Sequence, residues 1–274
     1  MGMGASGTDA GGTAHEKADA AAGIRVTDLY RYPVKGLSPE RLDAVDVTER
    51  WTFPFDRLYA IENGPGRFDP TAPKHLPKLS FVMRMRNERL GALETSFAPE
   101  DHTLTIKRSG KQVARGQLST PIGRAMIEQF FAGYLEGELR GAPKVVSVEG
   151  HSFSDVPVPC VHIINLESLR ALEHVVGRTL DPLRFRANIH IDGAPAWAEF
   201  DWIGKTLEVG DGVRLTVLDR TVRCAAVNVD PSSGDRDLSI PSVLQRTFGH
   251  EDFGIYAEVT SPGRLTEGDA LSVG

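Results

Sequence analysis

Apolar and polar residues alternate in short runs along most of the chain from Ile24 onward. The first run ends near Tyr30, the next two centre on Val45 and Ala60, and Pro, Gly, Asn or Asp residues separate them. Alternate side chains point to opposite faces of a strand, so this period of two residues predicts short strands joined by tight turns. Further strands are expected at residues 81–83, 93–97, 104–106, 145–148, 161–164, 185–191, 213–217 and 226–229. Many short strands with regular turns favour a barrel or a sandwich over a parallel sheet.

Three segments have the apolar spacing of a helix instead. Thr120 caps the first, Asn165 the second and Ser239 the third, because the side-chain oxygens of these residue types accept hydrogen bonds from free backbone N–H groups. Gly177 follows the second helix, where a glycine commonly ends a helix in the left-handed conformation. The pattern therefore predicts a mainly β fold with a few helices, of the α+β class.

Composition shifts divide the chain into three parts. Residues 1–23 are mostly Gly, Ala and polar residues, which bury too little apolar surface to offset chain entropy, so a disordered tail is expected. A later Gly-Ala-Pro sequence is typical of a boundary and predicts domains at residues 24–143 and 144–274. Two Gly-Asp pairs, at 210–211 and 268–269, each precede an alternating run and predict hairpin turns.

Charge and hydropathy exclude several classes of partner. The net charge of −6 argues against nucleic acid, because binding a phosphate backbone requires a basic surface. No apolar run approaches the ~20 residues that a membrane helix needs, and the first residues lack the apolar core of a secretory signal. The two cysteines lie far apart and do not form a disulfide framework. These features predict a soluble, cytoplasmic protein.

Cys224 is the candidate reactive residue, in the stretch LDRTVRCAAVNVDPSSG at 218–234. Arg220 and Arg223 flank it, and guanidinium charge favours the thiolate, which is the form of cysteine that binds metals. The alternative is that Cys224 is a small buried hydrophobic residue, as isolated cysteines often are. Cys160, which follows Pro-Val-Pro, is expected to be a packed thiol of that second kind. Three histidines lack the spacing of a zinc site: His151, His162 and His190.

Basic residues provide a second candidate feature. Arg184 and Arg186 alternate on one face of the strand expected at 185–191, and Asn188 follows on that face. Together with Lys35 and Arg57 they supply several donors of the kind that bind phosphate, since guanidinium groups match phosphate oxygens in pairs. For any one of these arginines alone, ion pairing with Asp or Glu is the simpler interpretation.

Several motifs occur in an order that resembles a known family. They are Tyr32-Pro33-Val34-Lys35-Gly36, Asp56-Arg57, Arg184-Phe185-Arg186-Ala187-Asn188-Ile189, Arg223-Cys224 and Val229-Asp230-Pro231. This series is similar to that of MOSC-domain proteins with an N-terminal MOSC β-barrel domain, a group that includes the amidoxime-reducing component. The resemblance implies an N-terminal β-barrel-like domain at 24–143 followed by a MOSC β-barrel domain at 144–274.

The resemblance also implies a molybdenum cofactor, Mo-molybdopterin. Cys224 matches the family's metal ligand and would be the catalytic residue. The other matching positions would bind the pterin and its phosphate: Lys35, Arg57, Arg186, Asn188 and Arg223, with Asn165, Ser168 and Thr221 as further cofactor contacts. Two departures from the family are Ala187, which replaces a proline, and Gly36, which stands where the amidoxime-reducing members have serine.

The activity that the resemblance implies is reduction of N-hydroxylated small molecules such as amidoximes and hydroxylamines. The chain carries no cysteine-rich ferredoxin module, so electrons are expected from a separate flavin or iron–sulfur protein. Two alternatives remain open at this point. Cys224 could carry a persulfide as a sulfurtransferase does, or the chain could be a module that holds the cofactor without catalysis.

Overall fold

The computed structural model of the protein describes residues 23–64 and 66–274. Apart from Gly23, the tail predicted over residues 1–23 lies outside this part of the chain. The strands are β1 (Arg25–Arg31), β2 (Glu40–Leu42), β3 (Ala44–Val47), β4 (Ala60–Glu62), β5 (Leu93–Ala98), β6 (Thr103–Arg108), β7 (Lys111–Gln117), β8 (Lys144–Val146), β9 (Val161–Asn165), β10 (Ile189–Asp192), β11 (Thr206–Val209), β12 (Val213–Val222), β13 (Asp252–Ser261), β14 (Gly263–Thr266) and β15 (Leu271–Val273). The helices are α1 (Pro121–Tyr134), α2 (Leu166–Val176) and α3 (Ile240–Phe248). The prediction of a mainly β fold with a few helices is confirmed.

An eight-stranded sheet in the order β15-β11-β12-β13-β9-β10-β1-β2 forms the largest layer. All its neighbouring strands are antiparallel except β9 and β10, which are parallel. In β12 the alternating residues Val213, Leu215 and Val217 are buried in the core on one face of this sheet. The two-residue period of the sequence therefore determines which face of the sheet is apolar.

Strand pairing crosses the domain boundary predicted between residues 143 and 144. Strand β1 pairs with β10, β3 pairs with β14, and β4 pairs with β8. The sheets therefore combine strands from the two sides of that boundary, and the domain division itself stays a prediction.

A three-stranded sheet, β5-β6-β7, packs against helix α1 and forms a second core. Two glycines allow the helix to approach β7 closely. A Cβ atom at Gly116 would lie 2.2 Å from the carbonyl oxygen of Gly123, and one at Gly123 would lie 2.1 Å from that of Gln117. Any larger residue at either position would separate the helix from the strand.

The helix boundaries follow the capping residues, with one exception. Thr120 accepts a hydrogen bond from Gly123 N in α1, Asn165 accepts one from Glu167 N in α2, and Gly177 ends α2 in the left-handed region. Ser239 precedes α3 but makes no capping hydrogen bond, so its predicted role was wrong. Asn228 Oδ1 accepts from Ile240 N at 2.8 Å instead. None of the helices in residues 23–64 and 66–274 has the length and apolarity needed to cross a membrane.

Three predicted strands are absent or much shorter. Residues 182–185 and 225–228 form 3-10 turns, and β10 begins only at Ile189. The first turn forms because Asp181 accepts a hydrogen bond from Leu183 N and Pro182 has a backbone angle suited to a helical start. At 81–83 only Phe81 forms a bridge, to Glu62.

The predicted hairpin at 268–269 is also wrong. The preceding strand, β14, pairs with β3, whereas the following strand, β15, pairs with β11. The Gly-Asp pair therefore joins two strands in different sheets. The pair at 210–211 does connect the antiparallel strands β11 and β12, so that prediction is confirmed.

Candidate functional site

A cavity of about 460 Å³ lies where segments from both halves of the chain meet. Its lining contains an excess of positive charge. The three acidic residues of the lining are Asp56, Asp155 and Asp219. The eight basic residues are Lys35, Arg57, Lys78, Arg84, Arg184, Arg186, Arg220 and Arg223. A cleft lined mainly by one sign of charge concentrates ligands of the opposite sign, so this cavity favours anions.

Lys35 enters the cavity from the turn that follows β1. Its Nζ donates to Phe153 O at 2.8 Å and forms an ion pair with Asp155. Burial lowers the pKa of Lys35, and the charge of Asp155 opposes that shift. Burial alone would raise the pKa of Asp155, but Lys35 holds it well below its usual range. The buried ammonium group of Lys35 is therefore stabilised by the carboxylate of the exposed residue Asp155.

Arg57 and Asp56 form the pair that joins the two halves of the lining. The Arg57 guanidinium donates to the Asp56 carboxylate, to Arg186 O at 3.0 Å and to Asn188 Oδ1 at 3.3 Å. Asp56 also accepts from Tyr32 N at 2.7 Å. Burial alone would lower the pKa of Arg57, but the Asp56 charge raises it. The pair therefore holds three separate segments in register around the cavity.

Asn188 lines the cavity, but the hydrogen bonds of its side-chain amide are made within the protein. Its Oδ1 accepts from His162 N at 3.1 Å in addition to Arg57, and its Nδ2 donates to Tyr30 O at 3.1 Å. The amide thus ties β9 to the end of β1. Its contribution is to position the neighbouring cations.

Arg186 adopts a left-handed backbone conformation, with φ of 55°, at the end of the 182–185 turn. Its guanidinium lies 4.2 Å from the Tyr32 ring centroid and donates to Leu37 O at 2.7 Å. Arg57 lies 4.5 Å from the same ring. Tyr32 is fully buried, and burial raises its pKa to about 12, so both cations lie against a neutral aromatic ring.

Arg223 is the basic residue directly before Cys224. It donates to Phe185 O at 2.8 Å, and its Nη1 lies 3.4 Å from His162 Nε2. Burial and then the Arg223 charge lower the pKa of His162 well below its usual range, so this imidazole is neutral. The buried Nε of Arg223 has no partner among the described residues.

Both cysteines line the cavity, in different environments. Cys224 is partly exposed and begins the 225–228 turn in an extended conformation. Cys160 is buried, and burial raises its pKa to about 12, as fits the packed thiol predicted for it. Within the described residues no three His, Cys, Asp or Glu side chains form a cluster that could hold a metal ion. A metal here would need ligands from a cofactor besides one cysteine.

The structure brings six of the predicted site residues to this cavity and leaves three outside. Those at the cavity are Lys35, Arg57, Arg186, Asn188, Arg223 and Cys224. Asn165 and Ser168 instead donate to the buried carboxylate of Glu199, at 3.0 and 2.7 Å. Thr221 is buried, is not part of the lining, and has no hydrogen-bond partner for its hydroxyl among the described residues. A residue next to the site in sequence can point away from it, because side chains alternate along a strand.

Ser168→Ala is therefore expected to lower stability and to leave ligand binding in the cavity unchanged. Glu199 is fully buried, and burial raises its pKa, so losing the Ser168 donor leaves a poorly compensated carboxylate. The loss should be about 1–3 kcal/mol in the free energy of unfolding. Urea unfolding and cofactor content of the same preparation check this. A normal stability with reduced cofactor content would contradict it.

The backbone at Gly36 disfavours serine, the residue that the family resemblance would place there. Its φ is +86°, and a Cβ atom would lie 3.0 Å from Val82 O and 3.3 Å from Met83 Cα. Serine would be strained here and would press on the backbone. The turn after Lys35 is thus shaped around a glycine.

Three of the lining residues that the sequence interpretation missed make or leave open polar contacts. Asp155 pairs with Lys35, His162 lies against Arg223, and Arg84 reaches the cavity from a turn after Phe81. The sequence contained one signal for Arg84, because this residue directly follows the apolar run Phe-Val-Met. The structure shows that it is indeed only 3% exposed. A buried arginine requires compensation by partners or by a ligand.

Arg184, by contrast, forms ion pairs with aspartates, which was the simpler interpretation of the arginines in the sequence. Its guanidinium donates to Asp230 at 2.8 Å and to Asp237 at 2.9 Å. Arg184 and Arg186 do not alternate along a strand as the sequence predicted. Arg184 lies in a 3-10 turn, and Arg186 follows that turn in the left-handed conformation. The two arginines therefore have different roles.

Comparison with known proteins identifies the family to which the chain belongs. The sequence matches the model of the MOSC domain over residues 151–272 and that of the MOSC N-terminal beta barrel domain over residues 23–138. No curated protein matches the chain. Among solved structures, the YUAD protein from Bacillus subtilis is 13% identical with a TM-score of 0.44, covering 92% of this chain and 96% of that chain. YiiM from Geobacillus stearothermophilus is 19% identical with a TM-score of 0.33, covering 42% and 53%. The chain belongs to the MOSC-domain proteins with an N-terminal MOSC β-barrel domain, a family associated with binding of the molybdenum cofactor.

Proposed function

We propose that the protein binds a molybdenum cofactor in this cavity and reduces N-hydroxylated small molecules such as amidoximes and hydroxylamines. The observation that carries the proposal is the meeting of a partly exposed thiol, Cys224, with an arginine-rich lining in one cavity. A thiolate suits a metal that already has sulfur ligands, and the cationic lining suits the anionic part of a pterin phosphate. Neither feature alone would indicate this cofactor.

The side chains of the lining fit the two ends of such a ligand. Cys224 would supply the protein's sulfur ligand to the metal, and Arg223 beside it has an unpartnered buried Nε. Lys35, Arg57 and Arg186 would bind the anionic end. When bound, the cofactor supplies two-electron redox chemistry by which an N–O bond is reduced, with release of water.

The rim of the cavity would select the substrate. Four branched aliphatic residues contribute to the lining: Val156, Val158, Leu218 and Val222. Val222 is 70% exposed and Val158 46% exposed, so this apolar edge contacts solvent. Exposed aliphatic side chains beside a polar cavity suit an uncharged carbon skeleton that carries one polar N-hydroxyl group.

A separate protein would supply the electrons. Reduction of one N–OH group to N–H with release of water consumes two electrons and two protons. A side chain that supplied these electrons once would stay oxidised, so repeated turnover needs an external donor. A flavin or iron–sulfur protein is the proposed partner, approaching the open side of the cavity near Val222.

The first test is metal and pterin content, followed by turnover. The protein is purified from a host that makes the cofactor, and molybdenum and pterin are quantified. Reduction of benzamidoxime is then measured with a chemically reduced viologen dye as donor, and next with flavin and ferredoxin donors. Near-stoichiometric molybdenum with amidine formation is expected.

Other results assign another role. Bound cofactor without turnover of any N-hydroxylated compound, given a competent donor, would indicate a module that holds the cofactor. Absence of molybdenum and pterin together with a sulfane sulfur on Cys224 after incubation with a desulfurase would indicate sulfur transfer. Either outcome would overturn the proposed activity.

A further inference from the structure

Arg84 lies near Arg186 in the lining of the cavity, although the two residues are far apart in sequence. Arg84 Nε donates to Gly36 O at 3.2 Å, and Arg186 Nη1 donates to Leu37 O at 2.7 Å. Consecutive carbonyls of one turn thus anchor the two guanidinium groups. Both side chains contribute to the cavity lining.

No carboxylate of the described residues forms an ion pair with either guanidinium. Asp56 is paired with Arg57, Asp155 with Lys35, and Asp230 and Asp237 with Arg184. Asp181 favours the charged form of Arg84, but only from beyond ion-pair distance. Arg84 is only 3% exposed, so water solvates its charge less well than it would at the surface. Two like charges therefore lie in one cavity, and neither has a carboxylate at ion-pair distance among the described residues.

The electrostatic consequence appears in both residues. Burial lowers the pKa of Arg84. Burial and then the Arg84 charge lower the pKa of Arg186 to about 9. The arrangement is unfavourable in the free protein, and binding of an anion between the two groups would relieve it.

A purely structural role for Arg84 does not account for this arrangement. Its only hydrogen bond to the described residues is the one from Nε to Gly36 O, and a neutral donor could make that bond. The two terminal nitrogens are left for a ligand. A guanidinium presents paired donors in a plane, which is the geometry that phosphate oxygens accept.

We propose that Arg84 and Arg186 together form the binding site for a phosphate monoester dianion. Two guanidinium charges match the two negative charges of that group, and the carbonyls of Gly36 and Leu37 hold them in place. Arg223, at the thiol end of the cavity, is then left to interact with Cys224. The inference rests on the proposed function only in naming the phosphate as that of the pterin cofactor. The geometry of Arg84 stands without it.

This assignment gives the ligand a direction in the cavity. Its phosphate lies toward the turn after β1, and its opposite end lies toward Cys224. Arg84 adds a phosphate contact that none of the family motifs in the sequence includes. The two negative charges of one phosphate group match the two guanidinium charges. The bound ligand is therefore expected to carry a single phosphate group.

The test uses cofactor-free protein from a host that cannot make the pterin, with inorganic phosphate as the probe. Binding is measured by isothermal titration calorimetry at constant ionic strength for the wild type, Arg84→Gln, Arg84→Lys and Arg220→Gln. Arg220 is a matched control, because it also lines the cavity but stacks on Phe200 at 4.4 Å. Circular dichroism verifies folding of each variant.

We expect phosphate to bind the wild type and to bind Arg84→Gln about 10- to 100-fold more weakly, as is usual for a lost bond to a charged group. Arg84→Lys keeps the charge but not the paired donors, so a smaller loss is expected. If Arg84→Gln does not fold, the lysine variant decides. No binding by the wild type, equal binding by the folded Arg84 variants, or an equal loss in Arg220→Gln would overturn the proposal.

A second arm separates this proposal from the proposed function. Pterin content is compared between wild type and Arg84→Lys purified from a cofactor-producing host, where reduced loading of the variant is expected. Normal loading of the variant would overturn the phosphate assignment while leaving the proposed function intact. Absence of pterin from the wild type, combined with phosphate binding that depends on Arg84, would overturn the function and leave a site for free phosphate esters.

Discussion

The Cys224→Ser variant is expected to lose nearly all bound molybdenum and all measurable reduction of N-hydroxylated substrates. A serine oxygen is a poor substitute for a soft thiolate at a metal already bound by sulfur. Changes to residues that only support metal ligands cost ~10–100-fold in affinity or activity, so removing the ligand itself should cost more than ~100-fold. Metal analysis and turnover with a viologen donor measure both effects.

Cys160→Ser is the matched control for this experiment. Cys160 lines the same cavity but is buried, with a pKa raised to about 12, so it stays a thiol. Its substitution should leave the molybdenum content near that of the wild type. Equal molybdenum and equal turnover in Cys224→Ser and wild type would exclude Cys224 as the ligand. A loss in Cys160→Ser alone would transfer the role to Cys160.

Asp56→Asn is expected to have the largest effect on stability. Asp56 is 4% exposed and accepts from both the Tyr32 backbone and the Arg57 guanidinium. Asparagine can still accept from Tyr32 N, but it leaves Arg57 without a counter-charge and places an NH2 group where one carboxylate oxygen stood. Removing one partner of a buried ion pair costs about 3–5 kcal/mol, so the urea midpoint should fall steeply.

A surface pair provides the comparison for Asp56. Asp46 pairs with Arg264, and both side chains are more than half exposed. Asp46→Asn should therefore change the urea midpoint little, because exposed ion pairs contribute little to stability. If the two variants have the same midpoint, the Asp56–Arg57 pair does not hold the cavity segments together.

Local sequence patterns predicted the secondary structure where one short-range interaction dominates. Thr120 and Asn165 cap their helices because a side-chain oxygen reaches a backbone N–H only two or three residues away. The strand at 213–217 follows from its apolar alternation. Such features depend only on residues a few positions apart, so the local sequence holds all the information needed to predict them.

The same reasoning failed where the interaction that a local pattern predicts competes with another one. Residues 185–191 have strand-like alternation, but Asp181 and Pro182 start a 3-10 turn that continues to Phe185. Ser239 has the chemistry of a cap, yet Asn228 makes the bond to Ile240 N. The outcome in each case depends on which backbone group the fold brings within reach, and a local pattern does not contain that information.

The candidate site was predicted in part, through a resemblance between motifs rather than through local physics. Lys35, Arg57, Arg186 and Cys224 do share one cavity. Asn165 and Ser168 do not, because the buried Glu199 engages both side chains. Position in a motif indicates which segment approaches the site, whereas packing decides where each side chain points.

The sequence by itself determined the mainly β fold, the three helices and the segments that carry the cavity residues, because these follow from periodicity, capping and ordered motifs. Only the tertiary structure decided which cations are compensated. Arg184 has two carboxylate partners, whereas Arg84 and Arg186 have none among the described residues. Charge compensation acts through space between segments that are distant in the chain, so it is settled only when the sheets and turns have packed.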